Sequence, residues 1–358
     1  EPGTEVDAHF LLDAGGQSGG LASFVPVGST IEYHFEVSNE VGEKKVTAPK
    51  KFLYLDSRFE WDHVSEGPVT VYHYGPTEKR ANDILQASLQ AVDRMSLVLG
   101  LEEVSPINVV AYNNYRHMVV ALPPRPQAIS EDLVTEGQAF SGLGVVMMLA
   151  FNEDAEGVAS HEITHVILHD AAAEVYEHIP MWLNEGLAEF GNVAPSEDYD
   201  RSLNWGIYTR RLKPLWYLTT FSGDPNDVII SYGHARSVVA YLINTYGREK
   251  MAQLIQEMKV TLSIDAAMQR IYGFDQVGLD SEWRDHIGLR PLTDYVASSP
   301  DHPEPTSSAE ELLHPHVTVQ ASEQSDKIAR PTGSGPGCNL GSGARGASAT
   351  MDPFLLLL

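Results

Sequence analysis

The sequence predicts an α+β fold, and three observations carry that prediction. Segments with strand-type alternation fall in the first part of the chain and are split by one long amphipathic helix. An apolar run at residues 142–151 leads directly into a second helical pattern. From Pro180 to about Leu289 the chain reads as helices punctuated by Gly and Pro. Together they describe a small mixed sheet followed by a mainly helical lobe.

The elements follow in order. Residues 1–57 read as a partial β segment. Thr30 to Val37 alternates polar and apolar residues, Asn39 to Glu43 is a turn, and Lys45–Thr47 with Lys51–Leu55 continues the sheet. This resembles the last strands of an immunoglobulin-like or fibronectin-like module whose front half is missing or degraded into the Gly-rich start at 14–20. So small a β piece needs a neighbour or more strands to be stable. A second domain is expected over 58–290. It opens at Phe59-Glu60-Trp61 with a strand at Val69–Tyr74. The helix at 76–100 then places Ile84, Leu85, Leu89, Val92, Met95 and Leu99 on its inner face, with Gly100 as C-cap. Ile107–Tyr112 is the next strand, and the Pro-rich stretch at 122–138 reads as a loop bordering a cleft. The run at 142–151 reads as a buried strand, and the acidic segment 152–157 suits a turn and a helix N-terminus. The next helix is expected over 156–173, and another begins at Pro180. Residues 291–358, rich in Ser, Pro, Gly and Ala, are expected to be a disordered tail. No internal repeat is present.

Five residues carry the chemistry: His161-Glu162-Ile163-Thr164-His165. On a helix the two histidines lie four apart and project from one face, so they can grip a single zinc ion. Glu162 is then beside the metal, placed as general base toward the water that the metal activates. An open catalytic site of this kind needs a third protein ligand. Glu185 and Glu189, four apart on the helix after Pro180, both qualify. His169 continues the histidine register, but a straight helix carries it roughly 6 Å further along the axis, so it reads as a packed residue. His178 falls in the connecting loop and reads the same way.

The HEITH segment followed by PMWLNEGLAEF resembles the gluzincin metallopeptidases, most closely the bacterial peptidase MA-like domains. The resemblance implies a zincin-like domain, a zinc cofactor, a peptide or protein substrate and hydrolysis of peptide bonds. It assigns the third ligand to Glu185 and leaves Glu189 to orient a zinc-binding histidine or brace its helix. The spacing from His165 to Glu185 is one residue longer than in the best-known gluzincin aminopeptidases, which does not move the assignment. The resemblance also implies a Tyr or His on a later helix that donates to the oxyanion. Within Ser231–Leu242, read as the start of a long helix, Tyr232 is the choice and His234 the alternate. Arg236 reads as an ordinary ion-pair residue, and Tyr241 and Tyr246 as the buried face of that helix. Finally, the resemblance implies that the strand at 143–150 pairs with the extended substrate backbone.

Composition narrows the function. With 24 basic and 49 acidic residues the net charge is −25, which argues against nucleic acid or an anionic membrane surface as partner. The single cysteine, Cys338, allows no internal disulfide and no cysteine zinc site, and its Gly-rich surroundings do not read as a lipidation site. No stretch approaches the roughly 18 apolar residues of a membrane helix. The chain starts at Glu1 without a signal-like segment and reads as a fragment or processed form; the terminal Pro353–Leu358 run leaves open a truncated anchor, an artefact or a chance tail. The β segment and the resemblance imply a bacterial extracellular or cell-envelope setting. Two rivals stand beside the zinc peptidase: a cell-surface binding protein with a structural or vestigial zinc site, and a zinc hydrolase of a non-peptide bond. Cleavage specificity, endo- versus exo-cleavage and oligomeric state are not written in the sequence.

Overall fold

The computed structural model describes residues 24–38, 43–123, 136–221, 224–290 and 292. The described residues up to Asp280 form one compact unit, and those from Ser281 on belong to a second. Of the second, the described residues amount to the end of the last helix and the turn after it. The Gly-rich start, the 39–42 turn, Cys338, the tail and the terminal Leu run lie outside the described residues.

The N-terminal β segment forms a broken hairpin. Strands β1 (Thr30–Tyr33) and β4 (Lys50–Leu53) pair antiparallel, as do β2 (Glu36–Ser38) and β3 (Lys44–Val46). The expected continuous strand at 30–37 is interrupted at His34 and Phe35. There the Phe35 N–H donates to the Thr47 hydroxyl at 2.9 Å, and the Thr47 N–H donates to the Phe35 carbonyl at 2.9 Å. Phe35, Val46 and Phe52 are exposed. The base of the hairpin is buried, because Gly28 lies flat on the main sheet. A Cβ there would sit 2.6 Å from Val110 Cγ2, and the Asn108 amide donates to the Gly28 carbonyl at 2.8 Å.

The main sheet has five strands in the order β5-β6-β7-β9-β8. Strands β5 (Trp61–Glu66) and β6 (Val69–Tyr74) form an antiparallel hairpin closed by Gly67-Pro68, with Gly67 at φ 56°. Strand β7 (Ile107–Tyr112) runs parallel to β6, joined by the crossover helix α1 (Glu78–Leu99). The expected inner face is largely observed: Ile84, Leu85, Val92, Met95 and Leu99 are buried, while Leu89 is half-buried. Full burial of such side chains contributes about 1.5–3 kcal/mol each. Gly100 caps α1 at φ 69°, as expected.

Two sequence expectations are corrected near the site. The run at 142–151 is a shorter strand, β9 (Val145–Leu149), preceded by a 3-10 turn at Ser141–Leu143. Gly144 breaks it at φ 63°, where an added Cβ would meet the Pro106 carbonyl oxygen at 2.7 Å. Nor does the 143–150 strand have a free edge for a substrate. It lies between β7, to which it is parallel, and β8 (Gly137–Phe140), which folds back antiparallel from the end of the stretch read as a loop. Among the described residues β8 is the edge strand on that side of the sheet, and β5 on the other. A short helix α2 (Tyr115–Val119) follows β7, with the Asn114 side chain accepting the His117 N–H at its start.

Helix α3 (Ala155–Ala172) is buried on nearly every face, packed against α1, β8, β9 and the next helix, α4 (Met181–Gly191). Then come α5 (Glu197–Tyr208) and α6 (Pro225–Tyr246). Helix α6 begins six residues ahead of Ser231, the expected start, because Asp224 caps it by accepting the Asn226 N–H and Pro225 occupies its first turn. Helices α7 (Arg248–Thr261), α8 (Ile264–Ile271) and α9 (Gln276–His286) follow. No described helix is long and apolar enough to cross a membrane.

Candidate metal centre

Two helices build the site. Helix α3 carries His161, Glu162 and His165, and α4 carries Glu185 and Glu189. They meet closely because Gly191 has no side chain: a Cβ there would sit 2.1 Å from Thr164 Oγ1 of α3. The chain reverses between them at Ala173, held at φ 52° and ψ −126°, then turns through Ala173–His178 into Pro180, the N-cap of α4. Helix α6 is pressed onto α4 in the same way, since a Cβ on Gly186 would meet Val239 Cγ2 at 2.5 Å and the Ala235 carbonyl oxygen at 2.6 Å.

The donor atoms converge. His161 Nε2 lies 3.2 Å from His165 Nε2 and 3.4 Å from Glu185 Oε2, and His165 Nε2 lies 3.8 Å from that same oxygen. Among the described residues, His161, His165 and Glu185 are the group able to hold a metal ion. Behind each imidazole, at its other nitrogen, stands a polar side chain, although the His161–Glu189 pair lacks the geometry of a normal hydrogen bond. His161 Nδ1 sits 2.8 Å from Glu189 Oε1, and His165 Nδ1 sits 2.7 Å from Asn184 Oδ1. The side-chain oxygen of Asn184 accepts from N–H at Nδ1, which leaves the His165 Nε2 lone pair facing the centre. None of His161, Glu162, His165, Glu185 and Glu189 is more than 2% exposed, so their charges interact with little screening by water.

The electrostatics follow from that burial. Desolvation lowers both imidazoles. For His161 the carboxylates of Glu189 and Glu185 outweigh it and hold the ring well above its ordinary 6.5. His165 is pushed down to about 4, by burial and by the neighbouring His161, despite Glu185. Burial pushes the Glu162 carboxyl up to about 8, with Glu185 and Glu189 adding to it and His161 opposing. Neither Glu162 oxygen has a hydrogen-bond partner of normal geometry, although the Ala139 backbone amide of β8 lies close enough to favour the ionised form. These directions come from protein groups alone; a divalent cation among the same atoms pulls carboxyl and imidazole values down.

The other expected residues fall as follows. Tyr232 is buried on α6 with its ring 6.3 Å from that of His161. Burial first, then Glu185 and Tyr199, keep its hydroxyl protonated well above the ordinary 10. His234, also buried, lies two residues on, roughly 200° around the helix from Tyr232. His169 stands outside the cluster, its ring 5.0 Å from Tyr176, and His178 is exposed in the linking turn. Arg236 pairs with Asp200 at 2.7 Å. Tyr241 and Tyr246 are only half-buried. The sequence reading missed Asn184, although it directly precedes Glu185, and also Tyr199 and the β8 residues Gly137 and Ala139. A Cβ on Gly137 would meet Val158 Cγ1 at 2.6 Å and Glu162 Cγ at 2.8 Å, so this glycine lets the edge strand lie against α3 at Glu162.

Comparison with known proteins adds the following. Residues 87–288 match the family model described as the Peptidase MA superfamily, which includes every residue of the centre. No curated protein matches the chain. Among solved structures, an M1 zinc metallopeptidase from Deinococcus radiodurans and its E323A mutant each align over 78% of this chain at 13% identity, with a TM-score of 0.40. The two-domain M1 zinc metallopeptidase E323A mutant bound to L-arginine aligns at 13% identity over 78% of this chain, with a TM-score of 0.38. The chain spans 64% of the length of each of these structures.

Proposed function

For a chain that belongs to the Peptidase MA superfamily, we propose zinc-dependent hydrolysis of peptide bonds at the His161–His165–Glu185 centre. The observation that carries the reading is the spacing of the three donor atoms. Ligands at the usual 2.0–2.2 Å from a tetrahedral zinc ion lie roughly 3.3–3.5 Å from one another. The separations here are 3.2, 3.4 and 3.8 Å. Two imidazoles and one carboxylate are also a recognised donor set for an open catalytic zinc site. The residues therefore fit the ion.

Bound there, zinc would supply Lewis acidity, making water a stronger acid and a carbonyl a better electrophile. The chain supplies the rest. Glu162 takes a proton from the attacking water and returns it to the leaving amine. Asn184 and Glu189 fix the two imidazoles in the tautomers that present Nε2 to the ion. The Tyr232 hydroxyl, kept protonated by burial, is the donor for the oxyanion. The edge strand β8, rather than the strand after it, offers backbone groups to an extended substrate, beside Glu162.

The test is cleavage of a mixed peptide library by the purified zinc-loaded protein, followed by mass spectrometry. Cleavage should disappear with a chelator and should fall by roughly 10²–10⁴-fold in Glu162→Gln, which should still bind zinc. Full activity in Glu162→Gln, or no cleavage by a sample shown to contain zinc, overturns the reading.

A further inference from the structure

The three donor atoms keep their spacing only while α4 does not slide along α3, so what fixes that register bears on the metal. Helix α3 meets the end of α4 along one flank, where Gly157, Ser160 and Thr164 follow one another at helical spacing. The chain leaving α4 lies against that flank in the opposite direction. A Cβ on Gly191 would sit 2.1 Å from Thr164 Oγ1, and a Cβ on Gly157 would sit 2.9 Å from the Ala194 carbonyl oxygen. Between these two close approaches stands Ser160, which is 0% exposed and directly precedes His161. Its hydroxyl turns its proton back to the Glu156 and Gly157 carbonyls, at 2.8 and 2.9 Å. The same oxygen accepts the Val193 N–H at 3.0 Å. From α1, Arg94 donates to the Phe190 and Asn192 carbonyls of this stretch at 3.1 and 3.3 Å.

We propose that Ser160 is a positioning residue for the metal centre: its hydroxyl pins the chain at Val193, which sets how far α4 stands along α3 and hence where Glu185 meets His161 and His165. The proposal rests on the zinc reading given above. Glu185 and the pinned end belong to one short helix, so a shift of that end along α3 carries the carboxylate with it. Ligand distances to a metal ion hold within about 0.2 Å, and a small slide is enough to weaken the site. The competing role is packing. Small residues at 157 and 160 let the chain pass close to α3 whether or not residue 160 carries an oxygen, so packing alone does not need the hydroxyl.

The experiment measures zinc affinity of the full chain by competition with a chromogenic chelator, together with the visible absorption of the cobalt-substituted protein, whose bands report ligand geometry. The variants are Ser160→Ala, Val193→Pro, their combination and Ser88→Ala. Alanine at 160 favours the helix and nearly fills the same space, so loss of the hydroxyl is the main change. Val193→Pro removes the donor from the other side, and Asn192, at ψ 121°, has the backbone that a following proline requires. It carries the test if Ser160→Ala does not fold. Ser88 of α1 is the control: it too is 0% exposed, but its hydroxyl donates within its own helix, to the Ile84 carbonyl at 2.7 Å. Ser160→Ala should weaken zinc binding about tenfold, the low end for loss of a group that acts behind a ligand, and should move the cobalt bands. Val193→Pro should do the same. The double variant should bind within about twofold of the weaker single one, because both changes break one hydrogen bond. Ser88→Ala should leave affinity within about twofold and the bands in place. Wild-type affinity or an unmoved cobalt spectrum in Ser160→Ala, additive losses in the double variant, or an equal loss in Ser88→Ala would each overturn the proposal. Peptide cleavage is scored separately. Zinc binding without cleavage in the wild type would sink the peptidase reading and leave the affinities to decide Ser160. No zinc binding in the wild type sinks both.

Discussion

Helices α3 and α4 and the hairpin of β1–β4 are built on opposite terms. In the helix pair, the polar groups of the centre are almost wholly shielded from solvent, and glycines set the distances between backbones. In the hairpin, most residues are exposed, each ladder has two strands among the described residues, and only its base is buried. The first region is tightly constrained, since close helix contacts and burial fix where its side chains stand. The second is held by its own ladder bonds and one docking point. A change in the first should therefore disturb function and packing together, whereas a change in the second should stay local.

The largest contrast lies within the site. Glu185→Ala removes a direct donor, and zinc affinity should fall by more than about 100-fold, beyond what loss of an orienting group costs. Glu189→Ala removes only the support behind His161, for which a loss of roughly 10–100-fold is expected. Titration of both variants with zinc against a chelator checks the order. A greater loss in Glu189→Ala would exchange the roles of the two carboxylates.

This pair also marks how far the sequence can be read. His161, Glu162 and His165, and the pairing of Glu185 with Glu189, were legible because helical register is local: four residues along the chain is one turn in space. Asn184 was in view and carried no role, because which side of α4 faces His165 depends on how α3 and α4 pack. Tyr199 stands on a separate helix and comes near the centre through Tyr232, ring centroids 5.9 Å apart, which no local pattern records. Strand β8 was lost for a different reason. It is four residues long, contains a glycine and follows a Pro-rich stretch, so turn signals outweigh strand signals. The early start of α6 was available in Asp224-Pro225, a cap followed by a first-turn proline, and was passed over.

Gly186 sharpens the contrast on the packing side. Gly186→Ala should force α4 and α6 apart or distort Val239, at a cost of about 1–3 kcal/mol, since the Ala235 carbonyl it would meet belongs to the α6 backbone. Denaturant unfolding measures it, and a zinc titration of the same variant should show weaker binding. Unchanged stability would mean that the helix pair yields more easily than its close contacts imply.

The join between hairpin and sheet is next in size. Asp56 is 9% exposed and accepts from Arg58 Nε at 2.9 Å and from the Tyr112 hydroxyl at 3.1 Å. Burial pushes its carboxyl up, but the bonds from Arg58 and Tyr112 outweigh this and hold it below the ordinary 3.8. A folded value below the unfolded one adds stability that is complete above about pH 3.8 and is lost as pH falls through the folded value. Asp56→Asn should cost about 1 kcal/mol at neutral pH, modest because the Arg58 side chain is 42% exposed. The gap between wild type and variant should close in acid. A gap independent of pH would show that Asp56 acts through shape rather than charge.

The smallest effect is expected on the hairpin itself, and it is the one that can break the comparison. Phe52 is 42% exposed and makes an edge contact with Tyr33, ring centroids 6.0 Å apart. Phe52→Ser should therefore cost no more than about 0.5 kcal/mol, the range of ordinary surface positions. The same aromatic face is what a sandwich would cover with a second sheet, as the alternation at Thr30–Val37 first suggested. If unfolding of the full chain shows a loss of about 2 kcal/mol or more, Phe52 is a core residue in solution, and the hairpin is one layer of a larger β structure rather than a ladder standing on its own bonds.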